Sequence, residues 1–244
     1  MALHRSGPGL SRFTGFTPAT FAFLRGLAAN NDRTWFAANK TTYEKAVLAP
    51  FHLLLADVIS ALAEKDIPLA GDPKKAIFRV HRDVRFSKEK LPYKTHAGAV
   101  LTRGGIKGAS GILYFHIDPK GCFLAAGFHA PDPEQLGAIR EAIYIDPPRF
   151  QAIRDDLAKV GLTLDTSETL SRMPRDYQDA ADWPVADALR LKRFVVRRPL
   201  TPETVAAPDL IQAAVRFAVD AEPLLHYGWQ ALAVLDPSQP RRKQ

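Results

Sequence analysis

The stretch that most limits the fold is Gly111-Ile-Leu-Tyr-Phe-His-Ile-Asp118, then Pro119-Lys120-Gly121, then Cys122-Phe-Leu-Ala-Ala-Gly-Phe128. Two β-prone runs around a Pro/Gly turn predict an antiparallel hairpin. A lone hairpin is marginal in water, so it needs more strands or a helical layer against it. The rest of the chain offers both. Thr17-Pro18 reads as N-cap and first helical residue, with Phe21, Leu24 and Ala28 on one face. Asn30-Asn31-Asp32 closes that helix and caps a second, which carries Trp35, Phe36 and Tyr43. Pro50 opens a third, where Phe51, Leu54, Leu55, Val58, Ile59 and Leu62 recur at helical spacing.

Near Ala76 the pattern changes. Ile77, Phe78, Val80, Val84 and Phe86 predict extended chain, and residues 98–102 a further strand. Asp132-Pro133-Glu134-Gln135 starts a helix with a capping-box residue in place. Asp146-Pro147 starts another, closed by Gly161. Residues 193–198 read as a short strand and 208–222 as a helix. The expected fold class is α+β: N-terminal helices, a central mainly antiparallel sheet, and further helices packed on the sheet.

No repeat or linker divides the 244 residues. One domain is expected over 13–236, after a loose arm at 1–12 and before a basic tail at 237–244. Cys122 is the only cysteine, which excludes an intramolecular disulfide and a Cys-rich zinc site. No apolar run of membrane-spanning length and no secretory leader is evident, so a cytoplasmic protein without a membrane partner is expected. Asn39-Lys40-Thr41 is then a chance match to a glycosylation sequon.

Charge is concentrated. Residues 74–94 carry a formal +6, against +7 for the whole chain. Such a window points to a surface that faces negative charge. In extended chain Phe78, Val80, Val84 and Phe86 share one side, and Arg79, His81, Asp83 and Arg85 the other. Arg82 falls among the apolar positions, which implies burial against a carboxylate or a bulge there. Arg forks match phosphate or carboxylate oxygens, and Lys adds mobile charge. Arg79, Arg82, Arg85, Lys88, Lys90 and Lys94 are therefore the candidate ligand-binding residues. For proton transfer the candidates are His81 and Asp83, with Tyr93 as donor. A solvated strand face with internal Arg–Asp pairs explains much of the same composition.

The run from Phe78 to Thr95, FRVHRDVRFSKEKLPYKT, resembles the signature of the DUF2461 family. So do Phe13-Thr14-Gly15-Phe16, Phe23-Leu24, Asn30-Asn31, Trp35-Phe36, Asn39-Lys40, Tyr43 and the stretch from Gly127 to Leu136. Glu89 and Leu91 depart from the family pattern without removing a basic position. The resemblance implies one domain. The family has no known function, so it implies no reaction, cofactor or catalytic residue.

Other signals are weaker. His81-Arg82-Asp83 copies a kinase catalytic-loop triplet, but Lys88 stands where the metal-binding Asn belongs and no Asp-Phe-Gly follows. The Gly-rich run 104–111 has neither P-loop nor dinucleotide spacing and reads as a loop between strands. His96, His116 and His129 have no metal-ligand spacing, so no metal site is expected. An odd hairpin register would put His116 and His129 on one face. Cys122 reads as a small apolar filler. Asn30-Asn31 reads as a cap pair that would also reach a ligand if it lay beside the basic strand. Arg190, Lys192, Arg193, Arg197 and Arg198 would extend the basic patch only if their strand adjoined it.

The resulting expectation is a protein that binds a phosphorylated or other anionic small molecule through residues 79–94, with enzymatic activity, cofactor and oligomeric state left open. The rivals are a nucleic-acid or acidic-protein interaction module using the same patch, and a structural adaptor whose ionic strand holds no ligand.

Overall fold

A computed structural model describes residues 12–83 and 90–235. The predicted hairpin lies inside its sheet: β3 (Ile112–Ile117) and β4 (Cys122–Phe128) pair antiparallel. Around them run β1 (Leu69–Ala70), β2 (Ala97–Arg103) and β5 (Phe194–Leu200). The order is β1-β2-β3-β4-β5, with every neighbouring pair antiparallel. N-terminal helices precede this sheet and further helices pack on it, giving an α+β fold.

Alternation gives the sheet two unlike faces. Leu101, Leu113, Phe115, Leu124, Phe194 and Val196 are buried on one. Against that side pack α3 (Ala49–Ala63), on β1, and α8 (Asp209–Leu232), on β4 and β5. On the other face Val100, Tyr114, His116 and Phe123 are only partly buried and Arg197 is exposed.

Local sequence explains most helix ends. Thr17 precedes α1 (Pro18–Ala29), and the Asp32 carboxylate accepts from Trp35 N at the start of α2 (Arg33–Tyr43). Asp132 and Gln135 form the predicted capping box of α4 (Pro133–Ile145). Asp146 caps α5 (Pro147–Lys159), and Gly161 follows it at φ 73°, a left-handed conformation that favours glycine.

Two proline readings are corrected. Pro50 does not open a separate helix: α2, a π-helical turn at Glu44–Leu48 and α3 run on as one helix, Arg33–Ala63. Pro50 has no N–H for the carbonyl four residues back, that of Ala46. The buried Thr20 hydroxyl donates to that carbonyl instead, at 2.6 Å, so the break is satisfied from α1. By length and composition this helix could cross a membrane, although its sequence has no unbroken apolar run of that length. In the fold Phe51, Leu54, Leu55, Val58 and Leu62 are buried in the core. Likewise α8 does not stop near Glu222 but continues through Pro223. Leu224, Leu225, Tyr227 and Trp229 are buried beyond it, and their burial offsets one lost hydrogen bond.

Candidate functional site

The basic segment forms a ribbon along the outer edge of β2. Phe78 N donates to Gly98 O and Val100 N to Ala76 O, while Lys94 N donates to Val80 O and Arg82 N to Pro92 O. Between the Phe78–Gly98 and Val80–Lys94 pairs, Arg79 alone faces residues 95–97. Two extra residues on the opposite strand, facing Arg79 and not Arg82, form a bulge. Bulges re-aim side chains, and this one contains His96.

The ribbon spreads its charges over two sides. Arg79 and His81 line a cleft of about 460 Å³ with Lys40, Glu44 and His52 from the long helix. Tyr93 pairs with His81 across the ribbon; its ring is buried, 4.4 Å from Phe36 and 5.1 Å from His81. Asp83 and Lys90 are exposed, and Arg82 is half-buried. Arg85 and Lys88, like Val84 and Phe86, lie outside the described residues. Phe78, expected on the buried side with Val80, is 44 % exposed because it projects over the uncovered sheet face. There it meets Tyr114, with ring centroids 6.1 Å apart, and Lys94, whose Nζ stands 5.1 Å from its ring centre. Burial, reinforced by the Arg79 guanidinium, lowers the pKa of Lys94.

The uncovered face brings together residues that sequence spacing kept apart. His116 pairs across the sheet with Gly98 on β2 and Phe123 on β4. His96 stands one rung beyond the Ala97–Ile117 pair, facing Asp118. The two imidazole centroids are 4.5 Å apart, and His116 stacks on Phe123 at 4.5 Å. The Tyr114 hydroxyl and His116 Nδ1 share a hydrogen bond of 3.0 Å, and His116 Nε2 lies 3.6 Å from Asp118 Oδ2. Asp118 is oriented in turn, since its Oδ1 accepts from Lys120 N at 2.8 Å. Burial lowers the pKa of both His96 and His116, and for His116 the neighbouring His96 adds to the effect. Burial raises that of Tyr114. Neutral imidazoles, a phenol and a carboxylate in one chain can relay a proton or donate lone pairs to a cation.

The family model described as a conserved hypothetical protein, DUF2461, matches residues 19–227. The chain belongs to the DUF2461 family. No curated protein and no solved structure matches it. In this DUF2461 chain the matched span contains both the basic ribbon and the His96–His116–Asp118 cluster.

Beside the cluster, a groove of about 880 Å³ continues along the same face. Its floor includes Phe78, Val100 and Ile112; Lys74, Lys75 and Lys107 edge it, and the Gly-rich loop 104–111 forms one wall. The hairpin register is odd, so parity places His129 on the side of His116, yet His129 follows the end of β4 and lines this groove instead. The second basic cluster does not extend the ribbon, because β5 occupies the opposite edge of the sheet. Arg193 is buried against Asp165 and Glu168, at 3.0 and 2.9 Å, and Arg198 pairs with Asp220 at 2.7 Å. Arg197 alone of the three reaches the uncovered face, over Phe123 and 3.2 Å from Asp165. Cys122 is half-buried, and burial pushes its thiol pKa up, which suits a filler better than a nucleophile.

Sequence reasoning passed over His96, His116, Tyr114 and Asp118 as a group. The usable signal was parity: an antiparallel pairing of residues 96 and 118 puts 98, 114 and 116 on the same side.

Proposed function

We propose that this DUF2461 protein binds a small phosphorylated or otherwise anionic molecule where the basic ribbon meets the uncovered sheet face. The observation that carries this reading is the Arg79–Lys94 pair. Burial and, after it, the charge of Arg79 both lower the pKa of the half-buried Lys94. Among the described residues no carboxylate lies within ion-pair distance of either. Like charges kept together cost free energy, and a bound anion offsets that cost. Lys74 and Phe78 line both the cleft and the groove, so a ligand anchored on the ribbon would have polar and apolar walls within reach.

The test is ligand-induced thermal stabilisation with inorganic phosphate, sugar phosphates and nucleoside monophosphates, run in the presence of a chelator. One class should raise the melting temperature of the wild type and leave Arg79→Gln/Lys94→Gln unmoved. Equal stabilisation of both proteins would remove the ribbon from the reading. Oligonucleotide binding that collapses with salt, without a small-anion response, would favour the nucleic-acid alternative.

A further inference from the structure

We infer that His96, His116 and Asp118 form a binding site for a divalent transition-metal ion, of the open three-ligand kind. The inference goes beyond the anion reading and does not depend on it. One ligand atom from each residue can be chosen so that all lie within 4.8 Å of one another. Two ligands of a tetrahedral ion, each about 2.1 Å from it, stand ~3.4 Å apart. His116 Nε2 and Asp118 Oδ2 are separated by 3.6 Å. That is too long for a hydrogen bond and close to the ligand–ligand separation.

The surroundings match what a metal-binding imidazole needs. A ligating histidine donates its other ring N–H to a fixed acceptor, which sets the tautomer. For His116 the Tyr114 hydroxyl, 3.0 Å from Nδ1, would be that acceptor, and the ring is held flat on Phe123. The hydroxyl itself occupies space that only a glycine leaves: a Cβ on Gly98 would lie 2.8 Å from the Tyr114 oxygen. The Asp118 carboxylate is oriented by Lys120 N. The cluster is half-buried, with side-chain exposures of 16 % for His116 and 15 % for Asp118, so it is partly desolvated and still reachable.

Donor chemistry selects the ion. Two imidazoles and one carboxylate suit Zn²⁺, Fe²⁺, Co²⁺ or Ni²⁺, whereas Mg²⁺ and Ca²⁺ prefer oxygen alone. Three protein ligands leave a coordination position for water or substrate, as catalytic sites do and closed structural sites do not.

The experiment uses the untagged full chain, stripped of metal and titrated with Zn²⁺ by calorimetry and with Co²⁺ by visible absorption, in phosphate-free buffer. One equivalent per chain is expected, with Co²⁺ bands of tetrahedral or five-coordinate type. Tyr114→Phe should weaken binding about 10- to 100-fold, the usual effect of losing an outer partner. His96→Ala and His116→Ala should each weaken it further. Circular dichroism and unfolding midpoints establish that each variant is folded. Unchanged affinity in a folded His96→Ala/His116→Ala variant would overturn the site, and so would a wild type that binds Zn²⁺ no more tightly than that variant. The anion test above contains chelator, so the two readings fail separately.

Discussion

Asn31 grips the main chain of Tyr93 with both ends of its amide: Nδ2 donates to Tyr93 O, and Tyr93 N donates to Oδ1, each at 3.0 Å. The side chain thereby imitates a neighbouring strand, and it ties the α1–α2 corner to the basic ribbon 62 residues later. Asn31→Ala leaves both Tyr93 groups without these partners. The expected loss is about 2 kcal/mol of stability, since an unsatisfied half-buried group costs ~1–3 kcal/mol. Urea unfolding measures it. Asn31→Asp keeps the acceptor and loses the donor, so it should fall between the two.

Lys94→Met keeps an apolar stem over Phe78 and removes one of the two adjoining cations. Without ligand the variant should be slightly more stable than the wild type, by about 0–1 kcal/mol, the range of exposed charge pairs. Its stabilisation by a phosphorylated ligand should disappear. A variant less stable by more than ~1 kcal/mol would mean that Lys94 has a structural partner instead.

Gly98→Ala sets a Cβ 2.8 Å from the Tyr114 hydroxyl and 3.0 Å from its ring. Overpacking of this kind costs about 1–3 kcal/mol. Most of the strain meets the hydroxyl, so the penalty should shrink in a Tyr114→Phe background. A double-mutant cycle by thermal unfolding reads the coupling, and strict additivity would show that Tyr114 moves aside freely.

Asp165 makes stability depend on acid. Burial raises its pKa, but hydrogen bonds from Ser167 and the charges of Arg193 and Arg197 outweigh it, so the net shift is downward. A carboxyl with a depressed folded pKa contributes stability above its unfolded value, about 3.9. That contribution is lost as pH falls through the folded value. Asp165→Asn should flatten this acid limb. At neutral pH it should also cost up to ~3 kcal/mol, the low end for breaking a buried pair, because Glu168 still faces Arg193. Unfolding midpoints measured from pH 7 down to pH 3 show both effects.

Features carried by a few consecutive residues were legible in the chain. The Asp132–Gln135 capping box, the hairpin turn after Asp118 and the helix start at Pro18 each depend on local geometry. The prolines misled because their cost is set by distant neighbours. Pro50 is tolerated because Thr20 supplies a donor to Ala46 O, and Pro223 because the residues after it are buried. The basic ribbon was equally visible as composition, whereas the place of Lys94 beside Val80 and over Phe78 was not, since it depends on cross-strand register.

Residue types and alternation were enough to specify an α+β chain with a mainly antiparallel sheet and a concentrated basic segment. Tertiary pairing alone decided that His96 meets His116 and Asp118. Side-chain chemistry travels with the sequence, but proximity across strands depends on register. One step of slip would send His116 to the opposite face, so the cluster exists only once β2 and β3 have locked together.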